Sequence, residues 1–144
     1  MATVQSFKFF SSVNTPTDNL IPVTTTPTVI GELNITDLRQ GDLIWLNAVV
    51  GGVDNDSSTT FASVELKIFK GQLTFPGQEI YKAVQEVDRE GNADIVNVPL
   101  SYVDVIGTGI TSARYLLTVQ LAQNVNSVFV DGPITFTATQ IRPA

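Results

Sequence analysis

The property that most restricts this chain is the rhythm of its apolar residues. They recur with period two, and Gly, Pro, Asn and Asp interrupt them about every 8–15 residues. No segment holds a 3.6-residue period. Successive side chains on a strand point to opposite faces, so the pattern predicts half-buried strands joined by turns, and no helix.

Thr60 to Phe69 sets Val64, Leu66 and Ile68 inward and Glu65 and Lys67 outward. Thr28 to Leu38 sets Val29, Gly31, Leu33 and Ile35 against Ile30, Glu32, Asn34 and Thr36. Ala113 to Leu121 alternates through Tyr115, Leu117, Val119 and Leu121. Glu79 to Val87 and Ala93 to Val105 flank Asp88–Asn92, which reads as a hairpin turn. Ser127 to Val130 and Ile134 to Ile141 read as a last pair across Asp131–Pro133. Arg39–Asp42 and Ile106–Ile110 read as turns, and Gly71 to Gly77 as a Pro-containing loop. Eight or nine strands in 144 residues predict an all-β jelly-roll sandwich of about eight strands, in two packed sheets. Residues 1–19 form an extended N-terminal arm and connection, and residues 20–144 the jelly-roll domain.

Leu43 to Val50 is apolar on both faces, with Leu43, Trp45 and Val49 on one and Ile44, Leu46, Ala48 and Val50 on the other. Such a strand is expected to be buried on two sides, by the second sheet and by a loop or a neighbouring subunit. Leu43, Trp45, Leu46 and Val49 are therefore candidates for core or subunit contact. Core packing is the expected duty of Trp45, the single tryptophan.

Composition narrows the function. The chain is 43% hydrophobic but only 15% charged, so Thr, Ser, Asn and Gln must cover much of the surface. A lightly charged surface costs less to desolvate against another subunit. The eight Lys and Arg residues are scattered and the net charge is −6, which excludes nucleic acid and an anionic membrane as expected partners. With no Cys and no His, disulfides, thiolate chemistry, imidazole bases and serine triads are excluded. No catalytic residue is assigned, and no enzyme activity is expected. The N-terminal sequence lacks the charged and apolar parts of a secretion signal, and no run is long enough to span a bilayer. The expected location is a cell, spore or virion surface reached without an N-terminal secretion signal.

The second half carries a family resemblance. Val98-Pro-Leu-Ser-Tyr-Val-Asp104, the turn Gly107-Thr-Gly109, Tyr115-Leu-Leu-Thr-Val119 and Val130–Ile141 resemble the closing strands of a tumour-necrosis-factor or complement-globular-head jelly roll. The version they resemble is the one used by Bacillus-type spore-surface (exosporium or appendage) and phage proteins. Gly41-Asp-Leu-Ile-Trp-Leu46 is similar to a strand of the same class. The resemblance spans roughly residues 28 to 141. It lacks the collagen-like stalk of some members and the cysteines of others. It implies homo-oligomers, often trimers, in spore or virion surfaces.

Among candidate sites, Asp54-Asn-Asp-Ser57 places two carboxylates two residues apart on a loop, without the later Gly and Glu of an EF-hand. Asp88, Glu90, Asn92 and Asp94 alternate around the next turn. Either group can face a calcium ion, but the preferred reading of both is a solvated turn; no metal and no cofactor is assigned. Asp104 is expected to cap the Gly107 turn. Asn34-Ile-Thr36 and Asn55-Asp-Ser57 match the glycosylation triplet. The N-terminal segment carries the sharper expectation: Val4, Phe7, Phe9 and Phe10 form a short apolar, β-prone arm. It can lie along its own sheet or add to the sheet of a neighbouring copy. Taken together, the residues suggest a self-assembling structural subunit whose partners are copies of itself and possibly another surface-layer protein. A receptor- or carbohydrate-binding surface module is the alternative.

Overall fold

The computed structural model describes residues 1–12, 15–71 and 78–144. The alternating segments fold as ten strands: β1 (Thr3–Ser12), β2 (Ile21–Pro22), β3 (Thr28–Ile35), β4 (Leu43–Asn55), β5 (Ala62–Lys70), β6 (Gln78–Val87), β7 (Ile95–Val105), β8 (Ala113–Leu121), β9 (Val128–Val130) and β10 (Ile134–Arg142). There is no helix among the described residues. All pairings are antiparallel. In one sheet β1, β10, β4 and β7 are neighbours, with β9 and then β2 continuing beyond β4; the other runs β3-β8-β5-β6. The two sheets face each other as a jelly-roll sandwich.

This order overturns two expected hairpins. β6 and β7 lie in different sheets, so Asp88–Asn92 crosses the sandwich and does not close a hairpin. β9 and β10 do not pair with each other; both line up along β4. The connections from β3 to β4, β4 to β5, β6 to β7, β7 to β8 and β8 to β9 all change sheet, so a short turn is no guide to pairing. The loop expected at Gly71 to Gly77 lies, after Gly71, outside the described residues, as do residues 13 and 14 of the N-terminal connection.

The core follows the period of two. Ile44, Leu46, Ala48 and Val50 of β4 face Val64, Leu66 and Ile68 of β5 and Tyr115, Leu117, Val119 and Leu121 of β8, with Ile134, Phe136 and Ala138 of β10 beside them. In β3 the register shifts between Val29 and Gly31, so Ile30 is buried and Val29 exposed, the reverse of a regular alternation. Gly31 keeps the space that two rings use: a Cβ there would meet Phe136 at 3.3 Å and Phe10 at 3.4 Å.

Phe10 belongs to β1. Residues 1–12, expected as an arm that lies along its own sheet or adds to that of a neighbouring copy, form an edge strand along β10 of the same chain, from Thr3 opposite Arg142 to Ser12 opposite Ile134. Phe10 packs against the core, whereas Phe7 and Phe9 point away from it.

Midway along β4, Gly51 and Gly52 form a bulge against β7. Both approach the β9–β10 corner too closely for any side chain: a Cβ on either would come within 2.7 Å of a backbone oxygen. Gly51 N–H donates to Pro133 O, Gly132 N–H to Gly51 O and Asp131 N–H to Gly52 O, so the ladder passes from β10 to β9 without a break. Gly52 also has φ of +63°, which glycine adopts freely.

At the start of β4, Asp42 is buried and accepts from Arg142 Nε and Nη2, both at 2.9 Å, from Gln140 Nε2 at 2.9 Å and from Arg39 N–H at 2.9 Å. Gly41, at φ +87°, turns the chain so that the carboxylate points inward to these donors. The Arg142 guanidinium, followed by the Arg39 and Gln140 donors, outweighs burial and holds the Asp42 carboxyl well below the usual carboxylate range.

Two outcomes follow. Because the folded-state pKa of Asp42 is depressed, its stabilisation is present above the ordinary carboxylate pKa and is lost as pH falls below it. Urea midpoints should therefore decline from about pH 4 downward. Asp42→Asn should lose about 3 kcal/mol at neutral pH and show a flatter acid limb, since it leaves Arg142 without its carboxylate. Second, a chain lacking residues 1–12 should melt at a markedly lower temperature and aggregate, because the deletion bares the β10 edge and removes Phe10 from the core. An unchanged melting temperature would show that β1 adds nothing to the fold.

Candidate functional site

The first sheet presents an outer face on which four strands contribute four side chains each. Register across β1, β10, β4 and β7 aligns Val4–Ile141–Leu43–Val105, then Phe7–Thr139–Trp45–Val103, then Phe9–Thr137–Asn47–Ser101, then Ser11–Thr135–Val49–Pro99. None of the sixteen is charged. At the chain average of 15% about two charges would be expected, and more on exposed positions. Phe9 is 72% exposed, Phe7 58% and Trp45 46%, with Val4, Val49, Val103 and Val105 also exposed. At strand and residue spacings of about 4.8 and 3.4 Å, the face covers about 450 Å². Ten of its sixteen residues are apolar and six are Ser, Thr or Asn, so the face is uncharged and more apolar than polar.

The second sheet is the opposite. Its outer face carries Glu32–Arg114 at 2.7 Å, Glu65–Lys82 at 2.9 Å and Glu79–Lys67 at 3.0 Å. The outer faces of the two sheets thus differ: the second carries paired charges, and the four-strand face of the first carries none.

Trp45 is not the core residue expected from its apolar strand. The inward row of β4 is already filled by Ile44, Leu46, Ala48 and Val50, so Trp45 lies on the outer face, where its Nε1–H donates to Ser101 Oγ at 3.1 Å. Leu46 is core, Leu43 is half-buried and Val49 is exposed. Beside Val49 a shallow depression of about 400 Å³ is floored by Asn47, Pro99, Ser101, Thr135 and Thr137. Asp104 does not cap the Gly107 turn either. It reaches across to the second sheet, accepting from Tyr115 Oη at 2.6 Å and pairing with Lys70 at 2.8 Å. Burial, and then this hydrogen bond, push the Tyr115 phenol well above its ordinary pKa.

At the far end of β4 the two acidic loops meet. Oxygens of Asp54, Asp56, Glu90 and Asp94 all lie within 4.8 Å of one another, and Asp54 also shares such a group with Asp18 and Asp131. The sequence marks Asp54–Asp56 and Glu90–Asp94 as separate turns; the sheet-crossing connection after β6 is what brings them together. Backbone bonds fix the arrangement: Asn55 N–H to Asp94 O at 2.9 Å, Glu90 N–H to Ser57 O at 2.8 Å and Asp56 N–H to Ser127 O at 2.8 Å. Asn55 is buried; its Nδ2 donates to Thr60 O at 3.0 Å and Val87 O at 3.2 Å, and its Oδ1 accepts from Ser57 N–H. That role closes Asn55 to glycosylation in the folded chain, while Asn34 is exposed. Asp54 is 5% exposed. Its burial and the neighbouring charges of Asp56 and Asp131 push its carboxyl up to about 7.

No family model matches the sequence, and no curated protein matches it. Solved structures similar to it include dimeric latent PorU from Porphyromonas gingivalis, at 9% identity and a TM-score of 0.45, where 93% of this chain spans 12% of that one. A CBM4 structure has 12% identity and a TM-score of 0.39, covering 99% of this chain and 78% of its own. The enzymatically active domain of bacteriophage CBA120 tailspike protein 4 has 12% identity and a TM-score of 0.37, covering 96% and 18%. Likenesses this distant say nothing of activity. The resemblance to the tumour-necrosis-factor and complement-head type extends to the β-sandwich fold, and the comparisons give it no finer identity.

Asn55→Ala should cost about 2–3 kcal/mol, because it strands the Thr60 and Val87 carbonyls. Chemical denaturation checks this; a loss below about 0.5 kcal/mol would mean that Asn55 does not tie the loops together.

Proposed function

We propose that the chain is a self-associating structural module of a cell, spore or virion surface, docking copies of itself through the outer face of the β1-β10-β4-β7 sheet. The observation that carries this reading is the four-by-four grid without a charged side chain. In a two-fold contact between copies, residues near the axis meet their own counterparts, so any charge there would oppose itself. A charge-free face removes that cost, and the exposed Phe7, Phe9 and Trp45 supply aromatic anchors of the kind that dominate interfaces. The reading includes no catalytic role, in keeping with a sequence that has neither His nor Cys.

Sedimentation velocity at micromolar concentration tests it. The chain should form dimers or larger species whose population changes little between low and high salt, since few charges are there to be screened. Phe9→Lys with Trp45→Lys should yield a monomer of unchanged melting temperature. A wild-type chain that is purely monomeric would overturn the reading.

One observation favours a second reading, a carbohydrate-binding surface module: Trp45, held by Ser101 and flanked by Asn47 and Thr139, offers an exposed ring beside polar groups. In that case Trp45→Ala should abolish retention on a polysaccharide while leaving sedimentation unchanged.

A further inference from the structure

We propose that Asp54, Asp56, Glu90 and Asp94 form a binding site for a single hard divalent cation of the calcium class. Four carboxylates from two chain segments converge within 4.8 Å. An acidic cluster alone proves little, since many are solvated turns. Here a second observation points to a ligand: Asp54 is more than nine-tenths buried, and its Oδ1 is shielded from solvent and has no hydrogen-bond partner among the described residues. A buried carboxylate oxygen without a partner is costly and is rarely kept without a reason. Among the described residues, no Lys or Arg forms an ion pair with any of the four. The backbone bonds from Asn55, Asp56 and Glu90 hold the loops together despite the like charges they bring into contact.

The donors select the ion. All are carboxylate oxygens, which suit hard cations, and the chain has no His or Cys to favour zinc or copper. Calcium accepts six to eight oxygens in irregular geometry, whereas magnesium demands a near-octahedral shell and keeps its waters. Loops fixed by strand ends, with Glu90 at the solvent side and Asp54 at the floor, suit the larger and more tolerant ion.

Titration of calcium chloride into the EDTA-treated full chain, followed by calorimetry and by thermal melting, tests the site. One ion should bind per chain, with a dissociation constant of about 0.1–1 mM or tighter. Millimolar calcium should raise the melting temperature by several degrees, reversibly with chelator, and magnesium should act much more weakly. Glu90→Gln with Asp94→Asn, both at the outer part of the site, should fold and weaken binding at least tenfold. Asp54→Asn should abolish it; if that variant fails to fold, the double variant decides. No binding at 10 mM calcium, an equal effect of magnesium, or an unaffected double variant would each overturn the proposal. Asp54 would then simply be a protonated buried acid.

Discussion

Strand β4 is the element on which the rest of the molecule depends. Over Leu43–Asp54 one of its edges pairs with β7, while the other pairs first with β10 and then with β9. One strand therefore organises three partners, and through β10 it also carries β1. This works only because Gly51 and Gly52 let the β9–β10 corner approach to backbone contact. A regular strand with side chains at those positions would hold β10 or β9, but not both.

The same strand connects core and surface. Its inward row fills the space between the sheets, and its outward row lies in the middle of the uncharged face. With a period of two, these two sets are fixed relative to each other: a one-residue slip would bury Trp45 and Asn47 and expose Ile44 and Leu46. The uncharged face is thus held as firmly as the core behind it. Charge is concentrated on the other sheet, where Glu65, Lys67 and Lys82 lie on adjacent strands and neutralise one another in place.

Alternation made the inward residues of β5 and β8 legible, together with the two faces of Leu43–Val50, because burial leaves its mark residue by residue. The environment of an apolar outer row left no such mark. Trp45 in an apolar strand is compatible with a second buried face or with an exposed one, and the composition of the strand is the same in either case. Strand partners were also illegible, since turns that cross between sheets have the same Gly and Asn residues as hairpin turns. That is why Asp54–Asp56 and Glu90–Asp94 read as two separate solvated turns, when topology makes them one cluster. The Asp42 clamp was visible only as a Gly-Asp pair before a strand, with its partner Arg142 a hundred residues away.

Asp42 and Asp54 show what decides the state of a buried carboxylate. They stand at opposite ends of the β4 segment and are buried almost alike, at 1% and 5% exposure. Desolvation acts on both in the same direction, favouring the neutral form. At Asp42 a guanidinium and two further donors reverse that preference, and the charged form is the stable one. At Asp54 the neighbours are Asp56, Asp131 and Asp94, each of which adds to the desolvation penalty. Among the described residues no Lys or Arg forms an ion pair with this group. A divalent ion would relieve the whole group, which is why the arrangement makes more physical sense as a binding site than as a turn.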